Sequence, residues 1–489
     1  MESIEQSTSM LPTQKCDVVI VGMGFAGLVA ANRAAEQGAN VTIIDKQPSG
    51  WWIGGDAILS GQCVHICSIS PMLPEDQLVK IINERTGGKA SPDLVNALVG
   101  NCKRAMKWLM DKGVEFEESP GLERVMKPKK IFEGPWSLIK PGGAYDATKY
   151  GGYKAMKLLE SLLKERGVGI MYETKALKLL TDAKGEVAGV LVKGKEGPFE
   201  IKAKATILCT GGFQRNKEML VRYIGPYADR VPIISGPGPT GDGHLMGLDV
   251  GAAFRSMSAI GYNIWPKGAI TNEDLLYLNI NPLDELAIIV NNNGERFCDE
   301  SIGCKLYGSI MSKLMPETEG LIIIDEVIYE EKEIWGKKAK AIVDFVTELG
   351  GTVYKANTIK ELSEKAGISP YLVATINEFN EAVDEGKASQ LRIPKTGNVN
   401  KITTPPFYGI PFTLGHTSTY GGFVVSPKCE VLDRDMKPIP RLYAAGEVMQ
   451  GSLSGGVDNR YASYVGQLSS CLVFGIISAE NASAIGKAQ

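Results

Sequence analysis

Short apolar runs and amphipathic stretches alternate near the start of this chain. Residues 17–21 (DVVIV) are almost continuously apolar and rich in β-branched side chains, which is typical of a parallel strand buried on both faces. Residues 28–37 are rich in alanine and predict a helix that is stopped by Gly38. Residues 40–44 (NVTII) predict a second strand, which ends at Asp45. Together these elements predict a strand–helix–strand unit.

The same patterns recur along the rest of the chain. Apolar residues at helical spacing predict helices on both sides of a break at Gly87-Gly88, within residues 74–113. A buried strand at residues 205–209 runs into a glycine pair, and residues 442–447 repeat this arrangement. The remaining predicted elements are a helix at 151–166, strands within 170–192 that turn at 182–185, a strand at 423–425 and a last helix at about 463–482.

The middle of the chain differs in composition from both ends. Residues from about 258 to 404 contain more Lys and Glu, and their end is marked by Pro394 and then by Pro405-Pro406. Helices are predicted in this region at 330–349, 359–365 and 370–385. We therefore expect residues 258–404 to form a separate domain that is inserted into the rest of the chain.

A glycine motif links the first predicted strand to the first helix. In GMGFAG, Gly22 would make a tight turn, Gly24 would let a pyrophosphate approach the backbone, and Gly27 would let the helix pack closely on the strand. The helix N-terminus would attract the phosphates, and Asp45, 18 residues past Gly27, would bind ribose hydroxyls. The motif predicts a dinucleotide site. We expect contacts from Gly22, Gly24, Phe25, Ala26, Gly27, Asp45 and Lys46.

Composition and charge narrow the function classes. The 489 residues carry 53 Lys and Arg against 56 Asp and Glu, a net charge of −3, which excludes a basic nucleic-acid-binding surface. No run of about 18 uncharged apolar residues occurs, so no membrane-spanning helix is predicted. The nine Cys form no CxxC pair and only three His occur. These counts argue against a metal site and predict reduced thiols in a cytoplasmic protein.

Six motifs resemble one flavoprotein family. They are VIVGMGFAGL, GGDAILSG, ILCTGGF, TGDGHLMG, NNNGERFCDE and LYAAGEV. The family includes fumarate reductase, the succinate dehydrogenase flavin subunit and 3-ketosteroid dehydrogenases. The resemblance implies an α/β fold in which a Rossmann-like FAD-binding domain is split in sequence around an α+β capping domain that helps to bind substrate. The domain boundaries would be a tail at 1–14, FAD-binding segments at 15–257 and 405–489, and the capping domain at 258–404.

The resemblance also implies the cofactor contacts. Gly55, Ser60 and Gly61 would lie near the isoalloxazine edge, and Ala176 would hold the adenine through its backbone. The ribityl–pyrophosphate path would be lined by Thr210, Gly211, Asp242 and Glu447, and further contacts are expected at Gly54, Asp56, Gly466 and Leu468. A last helix that begins near Ser463 would direct its positive end at the flavin. Some family members attach FAD covalently through a His, but residues 48–61 contain none, so non-covalent FAD is expected.

Two positions depart from the fumarate reductase pattern. Cys304 stands eight residues after Arg296. At this position fumarate reductases have an Arg that acts as the general acid, and ketosteroid dehydrogenases have a Tyr that acts as the base. Ser418 stands where fumarate reductases have a carboxylate-binding His. The sequence therefore disfavours a reductase of four-carbon dicarboxylates.

The C-terminal segment resembles the ketosteroid dehydrogenase branch more closely. Tyr461-Ala462 matches a Tyr-Ala pair whose Tyr donates a hydrogen bond to the substrate ketone, which is worth about 3 kcal/mol of barrier. Arg460 matches the region of a carboxylate-binding Arg, and a structural ion pair is the alternative. The proton acceptor is left open between Tyr307, Tyr420, Tyr145 and Cys304, each of which could instead be a structural residue. His416 is expected to be structural, with substrate contact as the alternative.

Three hypotheses follow from these residues. The first is an FAD enzyme that desaturates or reduces a C–C bond beside the carbonyl of a cyclic ketone, either a 3-ketosteroid or a small keto acid such as 4-oxocyclohexanecarboxylate. The second is an enoate reductase similar to fumarate or urocanate reductase, and the third is a non-catalytic flavin electron carrier. The expected partner is a small molecule with a ketone, and with a carboxylate if Arg460 binds one. No electron acceptor is assigned.

Overall fold

The computed structural model describes residues 11–49, 55–59, 73–114, 117–118, 129–130, 151–233, 235–268, 281–302, 304–334, 337–348, 350–454 and 467–487. The strands are β1 Thr13–Val21, β2 Val41–Ile44, β3 Glu117–Glu118, β4 Lys129–Lys130, β5 Gly169–Met171, β6 Lys175–Thr181, β7 Val187–Gly194, β8 Gly197–Leu208, β9 Phe254–Arg255, β10 Ile260–Pro266, β11 Ile288–Val290, β12 Glu319–Ile324, β13 Glu333–Ile334, β14 Lys337–Lys338, β15 Tyr354–Ala356, β16 Phe407–Thr419, β17 Gly422–Phe423, β18 Glu430–Leu432 and β19 Pro438–Ala444. The helices are α1 Phe25–Glu36, α2 Glu75–Thr86, α3 Pro92–Asp111, α4 Gly151–Glu165, α5 Lys217–Tyr223, α6 Asp242–Asp249, α7 Asn281–Leu286, α8 Cys304–Leu314, α9 Glu326–Glu331, α10 Ala339–Glu348, α11 Ile359–Ala366, α12 Leu372–Asp384 and α13 Gln467–Lys487.

The first sheet is built around the N-terminal strand–helix–strand unit. Strands β19, β8, β1, β2 and β5 run parallel in that order, and β18 adds an antiparallel strand beside β19. Strands β7 and β6 extend the sheet from β8 in antiparallel fashion. The predicted unit is confirmed as β1, α1 and β2, although β1 begins at Thr13 rather than at residue 17. Since β19 comes from the C-terminal part of the chain, this sheet joins two distant segments.

The core of the first sheet explains its apolar runs. Val18, Val19 and Ile20 of β1 are completely buried because β1 lies between β2 and β8. Helix α1 packs against α13, which also contacts β1, β8 and β19. Among the described residues, α13 is the one helix long and apolar enough to cross a membrane, and 67% of that stretch is buried inside the fold. Such burial is the property of a core helix.

The second sheet lies in the middle of the chain and is antiparallel. Its strand order is β10, β16, β12 and β11, and β15 also pairs with β16. A second hydrophobic core forms around these strands. Strand β16 lies beyond residue 404, where we predicted the capping domain to end, so the second sheet extends past that boundary. Phe412 and Leu414 account for this, since both are completely buried in the second core.

Most of the predicted helices are present, and one is wrong. The break within residues 74–113 is confirmed, because Gly87 ends α2 with a left-handed backbone at φ 58°. The single helix predicted over residues 330–349 is instead a short helix, α9, followed by the two-stranded pair β13–β14 and then α10. Glu333 lies opposite Lys338 in that pair. The opposite charges stabilise a hairpin at the position where the sequence pattern indicated a helix.

A buried ion cluster holds the second core together at the NNNGERFCDE motif. The Glu300 carboxylate, which is completely buried, accepts hydrogen bonds from Arg296 Nε at 3.0 Å, Arg296 Nη2 at 2.7 Å and the Ile289 amide at 3.0 Å. Lys395 is also buried, with its Nζ 3.7 Å from Glu300 Oε2. This Nζ donates to the carbonyl oxygens of Ala287 and Glu285, at 2.9 and 3.1 Å. Glu300 is therefore the carboxylate that two buried cations share.

We expect Glu300→Gln to lower the free energy of unfolding by about 3 to 5 kcal/mol, because it leaves Arg296 and Lys395 buried without their counter-charge. Urea unfolding followed by circular dichroism measures this change. Glu330→Gln is the matched control, since Glu330 pairs with Lys340 at 2.5 Å at the exposed surface. The control should unfold like the wild type. Equal midpoints for the two variants would contradict the role given to Glu300.

Candidate active site

The glycine turn between β1 and α1 is packed without spare space. Gly22 has φ 103°, and a Cβ atom there would lie 2.4 Å from the Cys209 carbonyl oxygen. A Cβ atom on Gly27 would lie 1.9 Å from the Gly22 carbonyl oxygen. Only glycine therefore permits this approach of α1 to β1 and β8. Gly24 caps α1 without a side-chain hydrogen bond, which leaves its N-terminal amides available to an anion.

Asp45 holds this turn from the end of β2. Its Oδ2 accepts a hydrogen bond from the Met23 amide at 2.7 Å, and its Oδ1 accepts one from the Gln47 amide at 2.8 Å. Burial raises the pKa of Asp45, whereas the two amide hydrogen bonds oppose that rise. The residue predicted to bind ribose thus also fixes the position of the glycine turn.

Lys46 and Asp242, both predicted cofactor contacts, form an ion pair beside the turn. Lys46 Nζ lies 2.6 Å from Asp242 Oδ2 and also contacts Thr240 Oγ1 at 2.5 Å. Although burial alone would raise the pKa of Asp242, Lys46 beside it makes the pKa lower than usual. Asp242 begins α6, after Gly241 with φ 77°. The structure therefore places the end of β2 and the start of α6 side by side.

The end of β8 supplies the next predicted contacts. Gly211 has φ 70°, and Thr210 Oγ1 is buried without a hydrogen-bond partner among the described residues. A Cβ atom on Gly243 would lie 2.1 Å from Thr210 Oγ1, so α6 packs directly on this segment. Ala176 is buried in β6, opposite Val192 of β7. A bound ligand with a hydroxyl or phosphate would satisfy the Thr210 hydroxyl.

The carboxyl groups of Asp56 and Glu447 and the side-chain amide of Gln214 lie close together near Gly212. Asp56 Oδ1 accepts a hydrogen bond from the Gly236 amide at 2.5 Å, and its Oδ2 accepts one from Gln214 Nε2 at 3.2 Å. Glu447 Oε2 accepts one from the Gly212 amide at 3.0 Å. Glu447 Oε1 is buried and has no partner among the described residues. We call Asp56, Gln214 and Glu447 the carboxyl cluster.

Gln214, Arg215 and Thr419 also lie at this site, although none of them was predicted from the sequence. Thr419 Oγ1 donates to Gln214 Oε1 at 3.2 Å and accepts from the Phe213 amide at 2.9 Å. Arg215 donates through Nη2 to the Ser235 carbonyl at 2.5 Å. Gln214 and Arg215 directly follow the ILCTGGF motif, so their position in the sequence could have marked them. Their partners lie about 20 to 200 residues away and could not be predicted from spacing.

Two of the predicted catalytic tyrosines are buried. Tyr307 is completely buried in α8 within the second core, where its hydroxyl donates to Asp284 Oδ2 at 2.7 Å. That environment is structural. Tyr420 is 4% exposed, and its hydroxyl lies against Gly261, where a Cβ atom would approach it to 2.4 Å. The structure therefore does not bring Tyr307 into the carboxyl cluster.

Both histidines of this region are neutral. His416 of β16 is completely buried, and neither ring nitrogen has a hydrogen-bond partner among the described residues. Burial, with a smaller effect from Arg215, lowers the pKa of His416 to about 3. Burial also lowers the pKa of His244 to about 4, and its Nε2 lies 3.1 Å from the Gly421 carbonyl. Neither ring can supply a positive charge near neutral pH.

The remaining predicted site residues fall partly inside and partly outside the described ranges. Cys304 is the first residue of α8, and Leu468 lies half-buried in α13 against the first core. The predictions for Gly55, Phe25 and Ala26 fall on described residues, with Gly55 at φ 59° and a Cβ position 3.6 Å from Gly24 Cα. The predicted residues outside the described ranges are Gly54, Ser60, Gly61, Tyr145, Arg460, Tyr461 and Gly466.

The geometry fits an extended dinucleotide such as FAD. Glycine turns follow β1 and β8, a glycine of left-handed backbone, Gly446 (φ 81°), follows β19, and unpartnered buried oxygens lie at Thr210 and Glu447. The sequence profile of a family described as FAD binding domain matches residues 17–460. The chain belongs to this family. It therefore binds FAD, and the residues above form the edge of the sheet at which an FAD-binding site is expected.

The chain is also similar to proteins that are named as reductases and dehydrogenases. The chain is 29% identical to an NADH:fumarate oxidoreductase from Klebsiella pneumoniae over 95% of its own length, and it spans 47% of that protein's length. It is also 29% identical to a urocanate reductase from Eggerthella lenta, over 97% of this chain and 75% of that protein. A 3-ketosteroid-Δ4-(5α)-dehydrogenase from Rhodococcus jostii shares the fold, with a TM-score of 0.71 and 22% identity over 99% of both chains. The chain is thus an FAD-dependent oxidoreductase of the FAD binding domain family, with relatives that are named as fumarate and urocanate reductases.

We expect Asp45→Asn to weaken FAD binding by about 10- to 100-fold, because an amide offers one acceptor oxygen where two backbone amides need both carboxylate oxygens. Equilibrium titration of the apoprotein with FAD, followed by quenching of flavin fluorescence, measures the dissociation constant. Asp182→Asn is the matched control. Asp182 also accepts from two backbone amides, those of Lys184 and Glu186, but in the turn between β6 and β7. Equal FAD affinities for both variants would refute the role of Asp45.

Proposed function

We propose that this oxidoreductase acts on a carbon–carbon bond beside the carbonyl of a cyclic ketone, either a 3-ketosteroid or a small keto acid such as 4-oxocyclohexanecarboxylate. Bound FAD supplies hydride exchange with the substrate carbon. One observation carries the proposal: uncharged Ser418 and Cys304 stand at two positions where the resembling fumarate reductases have a His and an Arg. A substrate with two carboxylates would lack both partners.

The surroundings of Ser418 support an uncharged substrate group. Ser418 is 9% exposed at the end of β16, between the hydroxyl residues Thr417 and Thr419. His416 is neutral, as its pKa near 3 requires. Arg215 directs its Nε and Nη2 donors at the backbone carbonyls of Gly236 and Ser235, at 3.2 and 2.5 Å. Within the described residues, this end of β16 therefore offers hydroxyl groups rather than free cations.

The substrate would be held by two neighbouring residues of the C-terminal segment. Tyr461, by resemblance to ketosteroid dehydrogenases, would donate its phenolic proton to the ketone oxygen as negative charge grows there. Arg460 would bind a substrate carboxylate with two parallel hydrogen bonds, if the substrate is a keto acid. Tyr420, Tyr145 and Cys304 are the remaining proposed proton acceptors. Tyr307 is no longer proposed, because its hydroxyl is already committed to Asp284 in the second core.

An enoate reductase is the second candidate. It is supported by the relatives, which include the urocanate reductase above and an NADH:acrylate oxidoreductase from Vibrio harveyi that is 26% identical. In that case Arg460 would hold the substrate carboxylate and Tyr461 would have no ketone to polarise. We also propose that FAD is bound non-covalently, since residues 48–61 contain no His.

Anaerobic mixing separates the candidates. We expect the oxidised holoprotein to lose its visible flavin absorbance on addition of a 3-ketosteroid or 4-oxocyclohexanecarboxylate. An enoate reductase would instead regain that absorbance when the photoreduced holoprotein meets urocanate or acrylate. A flavin electron carrier would respond to none of these compounds. That last result would overturn the proposed function while leaving the FAD assignment intact.

We expect Tyr461→Phe to lower kcat with a cyclic ketone by about 100- to 1,000-fold, because one donor to the developing oxyanion is lost. Steady-state kinetics with an artificial electron acceptor measures this effect. Tyr371→Phe is the control, since Tyr371 lies at the surface and is 54% exposed. A loss of less than threefold for Tyr461→Phe would contradict the ketone mechanism and favour the enoate alternative.

A further inference from the structure

The end of β16 is irregular beside the carboxyl cluster. In the pairing with β10, Tyr262 lies opposite His416 and Gly261 lies opposite Ser418. Thr417 is therefore an extra residue with no opposite residue in this pairing, and it forms a β-bulge. Because a bulge interrupts the ladder and re-aims the side chains beside it, pairing with β10 alone does not fix the direction of Ser418.

Gln214 supplies support on both sides of Ser418. Its Nε2 donates a hydrogen bond to the Thr417 carbonyl oxygen at 3.2 Å, and its Oε1 accepts one from Thr419 Oγ1 at 3.2 Å. Gln214 is completely buried and lies in the loop that follows β8, a strand of the first sheet. One side-chain amide from the first sheet thus holds the residues before and after Ser418.

The Gln214 amide is itself held in one orientation. Its Nε2 also donates to Asp56 Oδ2 at 3.2 Å, and Asp56 Oδ1 accepts a hydrogen bond from the Gly236 amide at 2.5 Å. If the Gln214 amide were turned over, its oxygen would face the Asp56 carboxylate and the Thr417 carbonyl, which are both acceptors. The hydrogen bonds therefore connect the bulge of β16 through Gln214 to Asp56 in a single arrangement.

Close packing at Gly212 makes this connection possible. A Cβ atom on Gly212 would lie 2.3 Å from Thr419 Oγ1 and 2.5 Å from Gln214 Oε1, so only glycine leaves room for the hydrogen bond between these two side chains. The Phe213 amide donates to the same Thr419 Oγ1 at 2.9 Å. The end of β16 therefore lies directly on the loop after β8, at the carboxyl cluster.

We propose that Gln214 is a positioning residue, which directs Ser418 at the substrate by holding Thr417 and Thr419 on either side of it. The proposal rests on the proposed function in one respect, because that function gives Ser418 an uncharged group of the substrate to bind. Gln214 acts through Ser418 and not on the reacting carbon. Its loss should therefore weaken substrate binding equally in the ground state and the transition state, which raises KM and leaves kcat unchanged.

The test is a double-mutant cycle on the holoprotein. Steady-state kinetics use whichever compound the wild type turns over among a 3-ketosteroid, 4-oxocyclohexanecarboxylate and urocanate. Gln214→Met, which keeps the length of the side chain and removes its hydrogen bonds, should raise KM by about tenfold, and so should Ser418→Ala. The double variant should also show a rise of about tenfold rather than about 100-fold, because both changes remove one shared contact.

Two further variants separate positioning from general stability. Asn380→Leu is the matched control, since Asn380 also holds a backbone segment with its amide, at Ile402 N and O, both at 2.8 Å, away from the carboxyl cluster. It should keep the wild-type KM even if it unfolds more easily. Thr419→Val removes the Gln214–Thr419 hydrogen bond from the side of β16, so it should reproduce the KM rise if Gln214→Met fails to fold.

Wild-type KM values for Gln214→Met and Thr419→Val, or effects of Gln214→Met and Ser418→Ala that multiply in the double variant, would overturn the proposal. A wild type that turns over none of the compounds would overturn the proposed function instead. Hydrogen exchange at the backbone amides of residues 415–421 then decides the positioning role without a substrate. Exchange should be faster in Gln214→Met and Thr419→Val than in the wild type and Asn380→Leu, and equal exchange in all four proteins would refute it.

Discussion

The close approach of α1 to the ends of β1 and β8 is the constraint on which the site depends. A Cβ atom on Gly27 would lie 1.9 Å from the Gly22 carbonyl oxygen, so the helix can meet the strand only through glycine. Asp45, at the end of β2, fixes the same turn because its Oδ2 accepts a hydrogen bond from the Met23 amide at 2.7 Å. The position of the N-terminal end of α1 is therefore set by backbone packing and one carboxylate.

The rest of the site is brought to this edge by chain segments far apart in sequence. Strand β19 joins β8 in the first sheet, and Glu447 follows it directly. Strand β16 belongs to the second sheet, yet its last residue, Thr419, binds Gln214 in the loop after β8. The two cores thus meet at the carboxyl cluster.

The helices and strands could be predicted from local sequence patterns. The hydrogen-bond partners of the side chains at the site depend on contacts between residues far apart in the sequence. The strand–helix–strand unit and the break at Gly87 follow from short-range rules of periodicity and turn formation, and these predictions are confirmed. Tyr307 was an expected proton acceptor because of its distance from Cys304 along a helix. Its pairing with Asp284, 23 residues earlier, depends on tertiary packing that no periodicity reveals. Gln214 and Arg215 were missed for the same reason.

The central claim is that FAD lies along the edge formed by the ends of β1, β2, β8 and β19, held without a covalent bond. The most direct measurement is the visible absorption spectrum of the purified chain after incubation with FAD and removal of free ligand by gel filtration. The account predicts one flavin per chain, which denaturation releases as intact FAD. A folded chain that stays colourless after this treatment, or a flavin that remains attached to the denatured chain, would contradict it.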